Sequence, residues 1–177
     1  MKPKEAIEIR LKMVDMHNSV LKRIDEAYRK KQYIEVCWLC YACFESRVNR
    51  VLAKICDGCS KEQRVKKRNI GISTKLECYT FLIKMKYPPL QNEDFQLINT
   101  IKGWCKERND LIHNMVSIDA YDGVDKKFAS LAKRGIALVN RMYKLSANVR
   151  EYYYNAENIP PFSEKVVNKC KLKYKCI

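Results

Sequence analysis

Glycine and proline are scarce in this chain, with five of each in 177 residues. That excludes collagen-like and low-complexity architectures and leaves little to interrupt long helices. Acidic residues are outnumbered, 20 Asp and Glu against 35 Lys and Arg, for a net charge of +15. The imbalance speaks against a basic partner and for a polyanionic one, nucleic acid before an anionic membrane. Long hydrophobic runs are missing. The longest nearly apolar stretch, Val36 to Phe44, is too short to cross a bilayer. No secretory signal is expected either, because Met1-Lys2-Pro3-Lys4-Glu5 runs straight into a charged amphipathic segment. The expectation is a cytoplasmic protein with reduced thiols and no membrane partner.

What is present is helical periodicity. Ile7, Leu11, Val14, Leu21 and Tyr28 fall on one stripe, widened by Met13, Val20, Ile24 and Ala27. A second helix is predicted from Gln32 to Ile55, with Cys37, Cys40, Tyr41, Phe44, Val48, Val51, Leu52 and Ile55 on one side. Two capping-box patterns, Ser60 with Gln63 and Thr74 with Glu77, predict helices near Lys61–Arg68 and Lys75–Lys86. A fourth long helix begins near Asn92 or Asp94 and buries Leu97, Ile101, Trp104 and Cys105. The last runs from Val124 to Tyr154 along Phe128, Leu131, Leu138, Met142, Leu145 and Val149. The expected architecture is all-α, a helical bundle of four long helices with short helices inserted in the middle. One domain is expected over residues 1–161, followed by a basic C-terminal tail, 162–177, predicted to be disordered.

Nine cysteines are many for such a chain. Cys37, Cys40 and Cys43 at three-residue spacing resemble a ligand string, but on a continuous helix they are small packing groups on one side. Cys56-Asp57-Gly58-Cys59 is better shaped for half a zinc site. Its other half would have to be Cys170 and Cys176, whose five-residue spacer is longer than zinc hairpins use. No metal and no cofactor are expected. The cluster Lys61, Arg64, Lys66, Lys67 and Arg68 suits sequence-independent contact with a phosphate backbone. Tyr152-Tyr153-Tyr154 offers aromatic faces to unpaired bases, although packing at the end of an amphipathic helix takes one or two of the three.

The chemistry-bearing stretch is Arg108-Asn109-Asp110-Leu111-Ile112-His113, which contains one of the two histidines. Arginine grips phosphate with a forked pair of donors, and histidine moves a proton near neutral pH. The spacing alone is loose, since Arg10 and His17 repeat it inside the first amphipathic helix, where they read as face residues. Asn109 and Asp110 beside the arginine, and the place just before the last long helix, set Arg108–His113 apart.

On these residues the chain resembles the HEPN domains (higher eukaryote and prokaryote nucleotide-binding). Their motif is Arg, four to six residues beginning with a polar one, then His, near the penultimate helix junction. The resemblance implies an endoribonuclease, a toxin or defence effector that cuts RNA without a metal. Arg108 and His113 would be catalytic, Asn109 would orient the phosphate or the histidine, and Glu45 and Asp110 would support them. It also implies a homodimer with the motifs facing each other, and leaves room for an antitoxin or regulatory protein. Met115 stands two residues after the histidine, where a toxin subgroup that undergoes tyrosine modification has Tyr, so that scheme is not implied. Two alternatives stay open: a non-catalytic HEPN-like module that binds RNA or protein, and a helical adaptor with an accidental pair. Five residues along a straight helix rotate a side chain by roughly 140°. Arg108 and His113 therefore meet on one phosphate only across a bend or across two subunits.

Overall fold

A computed structural model describes residues 3–55, 71–86, 90–115 and 123–155. Among these residues there are five helices and no strand: α1 (Pro3–Arg29), α2 (Tyr33–Ile55), α3 (Ile72–Lys86), α4 (Asn92–Asn114) and α5 (Val124–Asn155). The predicted helix over Lys61–Arg68, the Gly58 break and the tail from 162 to 177 lie outside the described residues.

The turn between α1 and α2 is closed by backbone bonds. The Gln32 N–H donates to the Ala27 carbonyl at 2.9 Å and the Lys31 N–H to the Tyr28 carbonyl at 3.0 Å. That pairing ends a helix with one left-handed residue, ordinarily glycine. Here Lys31 fills the position, at φ 59°. The turn folds α2 back along α1. Tyr28 meets Tyr33 edge-on at 5.6 Å, and Arg23 pairs with Glu35 at 2.7 Å.

Helix α2 is the centre of the domain and packs on all four other helices, most extensively on α5. On α2 and α5 the predicted stripes are the buried ones wherever side chains are described. On α1 the described inner residues are Ile24 and Ala27, and the side chains of Ile7, Leu11, Met13, Val14, Val51 and Ile55 lie outside the described residues. Ile24 and Ala27 on α1, Cys37, Cys40, Phe44, Val48 and Leu52 on α2, and Phe128, Leu131, Leu138, Met142, Leu145 and Val149 on α5 are all in the core. Val20, Leu21, Tyr28 and Tyr41 pack against it partly buried. Cys37, Cys40 and Cys43 are buried free thiols, the packing groups their spacing predicted.

Two helix starts differ in how closely they match the positions expected for them. Helix α4 begins at Asn92, where the Gln91 N–H donates to Asp94 Oδ2 at 3.0 Å. Helix α3 begins three residues before Lys75. The Lys75 N–H bonds the Gly71 carbonyl at 3.2 Å, so Thr74 lies inside the first turn instead of capping it. Burial of Ile72 holds that earlier turn in place.

Trp104 ties three helices together. Its ring meets Phe44 of α2 edge-on at 5.3 Å, and its indole N–H donates to the Leu131 carbonyl of α5 at 2.9 Å. Gly135 faces the same ring. A Cβ there would sit 2.8 Å from Trp104 Cζ2 and 3.3 Å from Cys40 Sγ. Alanine is the better helix former by about 1 kcal/mol, but overpacking a rigid aromatic costs about 1–3 kcal/mol. Gly135→Ala is therefore expected to be net destabilising by about 1 kcal/mol, read as a lower urea midpoint at unchanged slope.

Candidate functional site

The site grows from the core face of α4. Leu97, Ile101, Trp104 and Cys105 are buried on that face, and the next position of the same stripe is Arg108. A residue chosen by the motif for chemistry thus occupies a core register. Arg108 is 5% exposed. Its guanidinium lies over the Trp38 ring at 3.8 Å and beside the Tyr41 ring at 4.8 Å, both on α2. Cys37 and Cys105 complete the surroundings through their electrostatic influence on it. Removal from water lowers the Arg108 pKa from its usual range, opposed by Tyr41, Cys37 and Cys105.

The hydrogen bonding of Arg108 is incomplete. Nη1 donates to Asn109 Oδ1 at 2.8 Å. Nε and Nη2 are buried and have no hydrogen-bond partner. Stacking on a ring offsets part of that, about 0.5–2 kcal/mol for each well-placed ring. Each buried donor left unpaired costs about 1–3 kcal/mol, and more on a charged group. The balance is unfavourable to the fold. A pair of guanidinium donors with no protein acceptor is the usual fork for an anion.

Those donors are shut away from solvent as well. Of the groups around the guanidinium, Cys37 and Cys105 are buried and Tyr41 is partly buried. Trp38 is 53% exposed. Of the two rings against the guanidinium, Trp38 is therefore the one that faces solvent.

The remaining predicted residues fall around this centre. Asn109 accepts from Arg108, and Asp110 is exposed. His113 is exposed on the last turn of α4, which runs unbroken from Asn92 to Asn114. Arg108 faces α2, so within one chain the two motif side chains point apart by roughly 140°. Glu45 is one step removed from Arg108, since both act electrostatically on Tyr41 and Cys105. Its direct partner is Lys75 of α3, at 2.5 Å. Lys75 is 2% exposed, and the carboxylate is what makes its burial tolerable.

Beyond Tyr41, Ala42, Glu45, Ser46, Asn49 and Arg50 line a depression of about 450 Å³ along α2. Trp38, Ala42, Ser46 and Asn49, spaced by helical turns, are all exposed. Sequence reasoning missed Trp38, Tyr41 and Lys75 as members of the site. The spacing of Trp38, Tyr41 and Glu45, three and then four residues, was the available signal for a shared side of α2.

Lys61, Arg64, Lys66, Lys67 and Arg68 lie outside the described residues, as do Cys56, Cys59, Cys170 and Cys176. Tyr152 packs partly buried against the core. Among the described residues no group of three or more His, Cys, Asp or Glu could hold a metal ion, and no helix is long and apolar enough to cross a membrane. The chain matches no protein-family model, no curated protein and no solved structure.

Proposed function

We propose that this chain is an endoribonuclease of the HEPN type, a bundle of four long helices with shorter inserted ones, acting as a homodimer without a metal. The observation that carries the reading is the half-satisfied guanidinium of Arg108, with Nε and Nη2 buried and unpartnered beside an exposed aromatic ring. A phosphodiester supplies the acceptors those donors lack, and the net charge of +15 draws a polyanion to them.

In the proposed reaction the ribose 2′-OH attacks the adjacent phosphorus. A new 2′-O–P bond forms and the P–O5′ bond breaks. His113 moves the proton, taking it from the 2′-OH or giving it to the leaving 5′ oxygen. Arg108 stabilises the charge that builds on the non-bridging oxygens. The products are a 2′,3′-cyclic phosphate and a 5′-hydroxyl, and DNA, lacking the 2′-OH, is spared.

The unbroken α4 helix favours the two-subunit form of the site. Arg108 of one copy and His113 of the other would then flank each phosphate, related by a two-fold axis. This has a specific test. Arg108→Met and His113→Ala homodimers should each lose RNA cleavage in EDTA. Mixed and allowed to exchange, they form heterodimers with one intact composite site. About a quarter of wild-type cleavage should return, since about half the dimers are mixed and each carries one site of two. Inactive single variants with no recovery would sink the composite site. Full activity in both variants would sink the catalytic assignment.

A second reading has one observation in its favour. Arg108 is buried and His113 exposed, an arrangement also expected of a helical interaction module whose pair is accidental. Wild-type protein that cuts no RNA in the same assay would decide for it.

A further inference from the structure

Trp38 holds a position the proposed reaction does not use, yet it is the exposed one of the two rings packed on Arg108. Its ring stacks on the guanidinium at 3.8 Å while half of the residue remains exposed. The donors behind it, Nε and Nη2, are buried and unpartnered. Opening the site therefore means lifting one ring off one guanidinium. A lifted indole loses its cation–π contact and needs a new partner for its face.

We propose that Trp38 is an aromatic latch on Arg108, opened when an unpaired base of the RNA takes its ring. The inference rests on the RNA reading above and deepens it. As the ring leaves Arg108 it stacks on the base, and the phosphate next to that base takes the freed Nε and Nη2 donors. Stacking on the base replaces stacking on the guanidinium, while two buried donors gain acceptors. A duplex cannot drive the exchange, because its bases are already stacked on one another and show the protein only their edges. The same side of α2 continues from Trp38 past Ala42 into the depression lined by Ser46, Asn49, Arg50 and Glu45, whose carboxylate is paired with Lys75; Ser46, Asn49 and Arg50 are its donors. These side chains supply donors for the strand on either side of the gripped phosphate.

The test uses wild-type protein, Trp38→Ala and Trp38→Phe with fluorescein-labelled 2′-O-methyl RNA, which cannot be cleaved. Affinity is measured by anisotropy for a single-stranded 12-mer and for the same sequence as a duplex. Trp38 is on the surface, so both variants should fold, and circular dichroism checks that they do. Wild type is expected to prefer the single strand. Trp38→Ala should lose that preference, its single-strand-to-duplex affinity ratio falling by up to roughly tenfold, the size of one stacked base, because without the ring Arg108 is open to the phosphates of either form. Trp38→Phe should keep most of the preference, since it keeps a ring.

A single-strand-to-duplex ratio in Trp38→Ala equal to that of wild type would overturn the latch while leaving RNA binding standing. Failure of wild type to bind either RNA would overturn the RNA reading together with the latch. Sedimentation of Trp38→Ala as a monomer where wild type is a dimer would make Trp38 a subunit contact, and would equally overturn the latch.

Discussion

Replacing Arg108 with methionine should make the protein more stable and catalytically dead. Methionine fills a similar volume, keeps sulfur contact with the Trp38 and Tyr41 rings, and brings no N–H to bury. The substitution forfeits two ring–cation contacts of about 0.5–2 kcal/mol each and the bond to Asn109, about 1 kcal/mol. It removes a buried charge and two unpartnered donors, at about 1–3 kcal/mol per donor and more for the charge. Replacing buried ionic groups by well-packed apolar ones is often stabilising by about 1–4 kcal/mol. The net should be about 1–2 kcal/mol in favour of the variant. For a domain this size that is a melting temperature higher by about 2–8 °C. RNA cleavage should fall by a factor of at least about 10². A variant that melts lower than wild type would show that stacking outweighs burial at this site. A variant that keeps cleaving would remove Arg108 from the chemistry.

Alkali should unfold this protein unusually early. Burial pushes the Cys37 and Cys105 thiols up to about 12 from an ordinary 9.0, and raises Cys40 and Cys43 as well. A raised acid pKa means that the folded chain holds its proton longer than the unfolded chain. Below pH 9 both states are protonated, and the stability these thiols contribute is fully present. Above pH 9 the unfolded thiols ionise and the folded ones do not, so stability falls until the folded values are reached near pH 12. Each group costs about 1.4 kcal/mol per pH unit in that window. With Cys37, Cys40 and Cys105 together the slope approaches about 4 kcal/mol per pH unit, and Cys43 adds to it, against a total stability of about 5–15 kcal/mol for a typical domain. Tyr143, raised to about 12 by burial, adds to the loss above pH 10. Urea midpoints measured with reductant from pH 8 to 10.5 should drop steeply above pH 9. Cys37→Ala/Cys40→Ala should release two fewer protons on unfolding at pH 10. An identical slope in that variant would mean that the thiols do not set the transition.

Much of the packing was legible because burial follows helical periodicity. The stripes on α2 and α5 needed only the 3.6-residue repeat, and the low glycine content kept that repeat uninterrupted. The same repeat also carried information about the motif. Leu97, Ile101, Trp104 and Cys105 continue to position 108, so the phase of the stripe by itself implies a buried Arg108. Reading the arginine for its chemistry alone left that register unused. Trp38 was hidden differently, inside the apolar run from Val36 to Phe44. Its exposure follows from phase, since residues 36, 37, 40, 43 and 44 face inward and position 38 falls outside that arc. Glu45 was placed near the motif by analogy, but no local rule names its partner. Lys75 comes from a helix 30 residues away, and a long-range pair between single charges leaves no periodic trace.

Trp104 precedes Arg108 by one helical turn, on the same side of α4. Its indole N–H is bonded to one particular carbonyl of α5, at Leu131. That bond fixes the rotational phase of α4, because turning the helix about its axis would break it and drive the ring into Gly135. Arg108 and His113 therefore point where Trp104 aims them. The direction in which the motif is presented is decided ~6 Å away along the helix axis, at a residue outside the motif.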